Sequence, residues 1–100
     1  MADTEATKKK QARRWILENL NRVYPTPLQV KTLLRVMVSF CASYELDLLE
    51  KDLTYLWQKE YIFYPDDVIG GVRFIDKCIM LTADGKEIAD ATQTDPALEI

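Results

Sequence analysis

One hundred residues, 48% apolar and 29% charged, make a single domain with enough apolar side chains for one core and too many for a disordered chain. The absence of histidine removes the commonest general base and metal ligand, and Cys41 and Cys78, far apart in apolar company, read as buried thiols of a reducing compartment. The charged start lacks a secretory pattern, and the longest apolar region, 28–44, is broken by Gln29, Lys31, Thr32 and Arg35. No membrane span or membrane partner is expected, and the cytoplasm is the expected location.

The net charge of −3 hides a polarised chain. Lys8, Lys9, Lys10, Arg13, Arg14, Arg22, Lys31 and Arg35 meet one acid, Glu18, between them. From Glu45 onward acids prevail, with Asp47, Glu50, Asp52, Asp66, Asp67 and Asp76 among them.

Residues 1–7 lack apolar periodicity and are expected to form a mobile tail. A first helix is expected over 8–23, with Ala12, Ile16, Leu20 and Val23 as one buried stripe. Trp15, Leu17 and Tyr24 at its edges leave more apolar surface than a small core needs, so this helix is also the expected contact in a homodimer. Pro25 ends it, because a proline disfavours helical geometry in the residue before it. Thr26 is the expected N-cap of a second helix, with Pro27 at its first position. That helix is expected to run to residue 43. Val30, Leu33, Leu34, Met37, Phe40, Cys41 and Tyr44 form its broad apolar face, opposite Lys31, Arg35, Ser39 and Ala42.

A third helix is expected over 47–59, capped by Asp47 with Glu50 three residues on. Leu49, Leu53 and Leu56, flanked by Trp57, should face the core. Asp47, Lys51, Thr54 and Gln58 point the other way, with Glu50 and Tyr55 at the margins. A strand at 61–64, turn chemistry at Pro65-Asp66-Asp67 and Gly70-Gly71, and a returning strand at 72–81 make a β-hairpin, in which Arg73 and Lys77 share a side with Ile75, Ile79 and Leu81. Thr82 caps a short last helix over 83–91, which reaches the core through Ile88 and Ala91. Residues 92–100, split by Pro96, read as a frayed tail. The expected class is α+β, mostly α: one domain over 8–91 with three helices, a hairpin and a short C-terminal helix.

Two segments carry a resemblance. Asp52-Leu53-Thr54-Tyr55-Leu56-Trp57-Gln58-Lys59-Glu60-Tyr61-Ile62 resembles the end of the recognition helix in MarR- and PadR-type regulators, where Asp-Leu-x-Tyr-Leu leads through Lys-Gly into an apolar strand. Leu81-Thr82-Ala83-Asp84-Gly85-Lys86-Glu87-Ile88-Ala89 resembles the Leu-Thr-x-x-Gly helix start that follows the wing in the same regulators. Together they cover roughly 48–90 and imply a winged helix-turn-helix fold. The chain departs from the family at Glu60, where the pattern has glycine because the helix stops there in a left-handed conformation. Glutamate in that conformation costs on the order of 1 kcal/mol. Glu60 is expected to be non-helical, either strained in that conformation or after an irregular unwinding of the helix.

The resemblance implies binding of double-stranded DNA by a small transcriptional regulator, with the third helix in the major groove. Lys51, Thr54, Tyr55 and Gln58 would read bases or hold phosphate, and Arg73 and Lys77 would serve from the wing. Lys8, Lys9, Lys10, Arg13 and Arg14 would grip phosphates as a basic arm. The plainer reading makes Lys51 and Gln58 a solvated face and the basic run a solubilising tail. A second reading takes the domain as a winged-helix module that binds a protein, favoured by its acidic second half, by Asp47 and Glu50 on the third helix, and by the aromatics Trp15, Tyr24 and Tyr64. No enzyme is expected, and no cofactor or metal. The chain has no paired-cysteine metal spacing, no phosphate-cradling glycine loop and no nucleophile elbow.

Overall fold

A computed structural model of the chain describes residues 4–65 and 73–94, and side chains over 10–65 and 73–91. Its elements are α1 (Thr4–Val23), β1 (Leu28–Gln29), α2 (Val30–Phe40), α3 (Leu46–Gln58), β2 (Ile62–Phe63), a 3-10 turn at Phe74–Asp76, β3 (Cys78–Leu81) and α4 (Ala83–Thr94). The class is α+β and mostly helical. The sheet is antiparallel in the order β1-β3-β2, with Leu28 opposite Ile79 and Ile62 opposite Leu81. Among the described residues no helix is long and apolar enough to cross a membrane.

The core forms where the helical stripes meet. Ala12, Ile16, Leu17 and Leu20 of α1, Val30, Leu33 and Met37 of α2, and Leu49, Leu53 and Leu56 of α3 are buried with Ile62, Ile79, Leu81 and Ala89. Fully burying a Leu or Ile stabilises the fold by about 1.5–3 kcal/mol, so this set dominates the driving force. Three expected core residues are left at the surface. Val23 and Phe40 are exposed, Phe40 because it covers Trp15 from outside (ring centroids 4.9 Å apart), and Trp57 is exposed as well. Leu17, placed at the stripe's edge by periodicity, is fully buried because α1 is flanked on more than one side, by α2, α3, α4 and β3.

Several boundaries differ from the sequence expectation. α1 begins at Thr4, so residues 4–7 are helical rather than tail, and α4 continues to Thr94 rather than ending at residue 91. α2 does not start at a Thr26 cap. Leu28 and Gln29 are drawn into a strand against Cys78 and Ile79, and the Val30 N–H donates to the Lys77 carbonyl at 2.9 Å, so the helix starts at Val30 with no side-chain cap. Asp47 lies in the first turn of α3, where its charge suits the helix dipole, while extended Glu45 precedes the helix. The returning strand begins only at Cys78, because 74–76 close into a 3-10 turn held by the Lys77 N–H on the Phe74 carbonyl. The expected hairpin tip, with Asp66, Asp67, Gly70 and Gly71, lies outside the described residues, as do residues 1–3 and 95–100.

The junction between α3 and the sheet bears out the reading of Glu60. Its φ is +63°, and the Glu60 and Tyr61 N–H groups donate to the Trp57 and Leu56 carbonyls at 2.9 and 3.0 Å. This pair of bonds is the Schellman closure of a helix, with glutamate at the position that favours glycine. Thr82 completes the joint. Its hydroxyl donates to the Glu60 carbonyl (2.6 Å) and accepts the Gly85 N–H (3.0 Å), while its own N–H donates to the Tyr61 carbonyl (3.0 Å). Gly85 lies so close beneath Tyr61 that a Cβ there would sit 1.9 Å from the Tyr61 carbonyl oxygen.

This joint is testable in opposite directions. Gly85→Ala should destabilise the fold by about 1–3 kcal/mol through a backbone clash that no rotamer relieves. Glu60→Gly should stabilise it by about 0.5–1 kcal/mol, the left-handed strain removed less the added chain entropy. Urea midpoints at unchanged m-value measure both.

Candidate functional site

Any partner that reads this fold through α3 meets the side the core leaves uncovered. Leu49, Leu53 and Leu56 turn one face inward, so the helical period exposes Asp47, Lys51, Thr54 and Gln58 as expected. With Glu50, Tyr55 and Arg13 of α1 they line an open groove of about 550 Å³. The groove is mixed in charge, with two acids towards the start of α3, Lys51 in its middle and Gln58 at its far end.

One side of the groove is built by a network that periodicity did not reveal. Arg13 lies over Tyr55, its guanidinium carbon 3.7 Å from the ring centroid, and its Nε sits 3.5 Å from Asp52 Oδ1. Asp52 is buried, and its Oδ2 accepts a 2.6 Å hydrogen bond from the Tyr44 hydroxyl. Burial, and then this bond, push the Tyr44 phenol well above the ordinary tyrosine range, so it remains a neutral donor. The carboxylate is thus held from two sides, as a buried acid requires. Asp52 and Arg13 belong to different helices, so the network pins α3 to α1. Only a spacing rule across forty residues of sequence could have paired them, and none exists.

The network changes the roles expected of several residues. Arg13 is spent on Asp52 and Tyr55 and is no part of a free arm. Tyr55, expected to reach outward, is half-buried beneath it. Arg14 is half-buried, its Nε enclosed without a hydrogen-bond partner among the described residues, and Lys10 is half-buried on the same helix. The basic run lies within α1, as the helix expected over 8–23 implied; the side chains of Lys8 and Lys9 lie outside the described ones. Lys51, Thr54 and Gln58 remain exposed together on α3.

The two basic residues expected beside the hairpin are engaged locally. Arg73 Nε donates to Asp76 Oδ2 at 3.0 Å, and Lys31 of α2 approaches the other carboxylate oxygen at 3.7 Å. Lys77 lies 5.4 Å over the Tyr64 ring. Asp76 so offsets part of the positive charge on this side. Trp15, counted above as spare surface for a second copy, stacks on Phe40 instead. Cys41 and Cys78 are half-buried thiols and form no disulfide. Among the described residues no group of three acids or cysteines is placed to hold a metal ion.

At the far end of the molecule Asn21 links α1 to α4. Its amide donates to Asp90 Oδ1 (2.8 Å) and its carbonyl oxygen accepts from Lys86 Nζ (2.9 Å). The Asn21 bond first, and then Lys86, hold the Asp90 carboxyl below its ordinary range. Compared with known proteins, the chain matches no family model, and no curated protein or solved structure matches it significantly.

Two measurements check these contacts. Asp52→Ala should cost about 2–3 kcal/mol in urea unfolding, since it strands the Tyr44 hydroxyl and leaves Arg13 without its counter-charge. Asp90, with a depressed folded-state pKa, contributes stability that is present above the unfolded value of about 3.9 and is lost as pH falls through the lower folded value. A carbon-detected NMR titration should place its midpoint below an ordinary aspartate, and Asn21→Ala should move it up.

Proposed function

We propose that this protein is a small winged-helix DNA-binding regulator whose helix α3 enters the major groove of double-stranded DNA. The observation that carries the reading is the uncovered strip Lys51, Thr54 and Gln58 on a helix fastened by Arg13 along one side and by the Glu60–Thr82 joint at its C-terminal end. A reading helix must be bare on one side and immobile on the other, because loosely held side chains lose the geometry that distinguishes bases. Gln58 suits the paired acceptor and donor of adenine, Lys51 a guanine edge or a phosphate, and Thr54 either. Tyr55 supports the strip from beneath Arg13. The element order of α2, α3, antiparallel strands and α4 agrees with the winged layout that the two sequence segments resemble. In a homodimer, two copies of α3 would address the two halves of a symmetric site.

A second reading, a winged-helix module that binds a protein, draws on the acids of the same groove. Asp47 and Glu50 stand at the N-terminal end of the strip, where an approaching phosphate meets two negative charges.

Fluorescence anisotropy on a labelled mixed-sequence duplex separates the two. DNA reading predicts binding that weakens with salt at a log–log slope of roughly −3 to −6. The folded double variant Lys51→Glu, Gln58→Ala should lose sequence preference. An unaltered DNA affinity in that variant removes α3 as the reader, and no binding at low salt selects the protein-binding module.

A further inference from the structure

A second open groove lies at the other margin of α3. It has a volume of about 760 Å³, and Trp57, Ile62 and Phe63 line it together with the start of α4. Trp57 is 53% exposed and Phe63 39%. Two large aromatic side chains left in water on adjoining elements mark a surface that gains by being covered.

The charge around them selects what covers it. Glu60 and Asp84 border the aromatics, and among the described residues that line the groove there is no lysine or arginine. The lysines nearest in sequence turn elsewhere. Lys59 reaches towards Tyr55, 5.6 Å from the ring centroid, and Lys86 is held by Asn21 and Asp90 at 2.9 and 3.4 Å. The positive end of the α4 dipole is met by Asp84 in the first turn. Aromatic faces with an acidic rim repel phosphate and attract a cation on an apolar stem, whose charge lies against the ring quadrupole and whose methylenes cover the ring.

We propose that this groove docks a basic segment of a partner protein, with an arginine or lysine side chain laid over Trp57 and Phe63 and its charge towards Glu60 and Asp84. Arginine suits the site better, since a flat, weakly hydrated guanidinium stacks on a ring and pairs with a carboxylate together. The inference does not rest on DNA binding. It uses the opposite margin of α3, although Gln58 borders both grooves.

The test uses the full chain and a short fluorescein-labelled peptide of alternating arginine and glycine, with a glutamate–glycine peptide as control. Saturable binding of the arginine peptide with Kd below about 1 mM is expected. Trp57→Ala, and separately Glu60→Gln with Asp84→Asn, should each weaken it about tenfold, while Trp57→Phe keeps most of the affinity. All three positions are exposed, and an unchanged Tm confirms that the variants fold. Absence of saturation, equal binding by the variants, or equal binding of the acidic peptide overturns the proposal. The same variants are titrated with duplex DNA. A loss of DNA affinity in Trp57→Ala without loss of peptide affinity assigns the groove to nucleic acid and sinks the proposal, whereas DNA affinity lost only in the Lys51 and Gln58 variant leaves it standing.

Discussion

The joint at which Thr82 grips the end of α3 is the contact on which the arrangement of this molecule depends. A helix that ends must satisfy its last carbonyls, and here the Leu56 and Trp57 carbonyls are taken by the Tyr61 and Glu60 N–H groups. The turn sends the next carbonyls, those of Glu60 and Tyr61, towards the start of α4, where the Thr82 hydroxyl and N–H receive them. One threonine therefore ends one helix, closes the β2–β3 pair and begins another helix. Gly85 is part of the same device, because the Tyr61 carbonyl fills the space a side chain would need. The backbone strain at Glu60 persists because these bonds over-determine it.

The second constraint is electrostatic and joins α3 to α1. Asp52 is buried, and an isolated buried carboxylate would be expensive. Tyr44 and Arg13 share its charge, and the Arg13 guanidinium also covers the Tyr55 ring. The basic character of α1 is thus partly consumed inside the fold, while Lys31 and Arg73 share Asp76 at the surface. Formal charge along the chain overstates what remains for a polyanion.

These two constraints leave α3 with two dissimilar margins. The outward strip of Lys51, Thr54 and Gln58 has polar chemistry suited to base edges, with acids at one end. The margin beside β2 is aromatic and ringed by carboxylates. A single helix held on two sides can serve two partners of opposite charge without moving, since each meets its own side chains. If both proposals hold, such a layout would link the two partners only through Gln58 and through electrostatics between neighbouring charges.

What could be read in the chain alone was local. Leu49, Leu53 and Leu56 of α3 recur at helical spacing and are buried. The end of α3 at Glu60 and the cap at Thr82 follow from residues within one or two turns. Antiparallel pairing of the segments after α3 was legible too, since β-prone runs flanked a turn. Contacts between distant residues decided the rest. Thr26 and Pro27 carry sound helix-start chemistry, yet Leu28 and Gln29 form a strand, because β3 offers unpaired backbone groups and pairing them outweighs a weak local preference. The arginines of α1 read as an arm because charge in a sequence has no direction. Only the packing of α1 against α3 turned Arg13 onto Asp52 and Tyr55. Likewise Phe40 and Trp57 carry apolar periodicity, but a core of this size has finite room, and which apolar side chains stay outside depends on where neighbouring helices end. Periodicity names the face of each helix; the tertiary fold alone decides how wide that face is, what lies on its margins, and which charges remain for a partner.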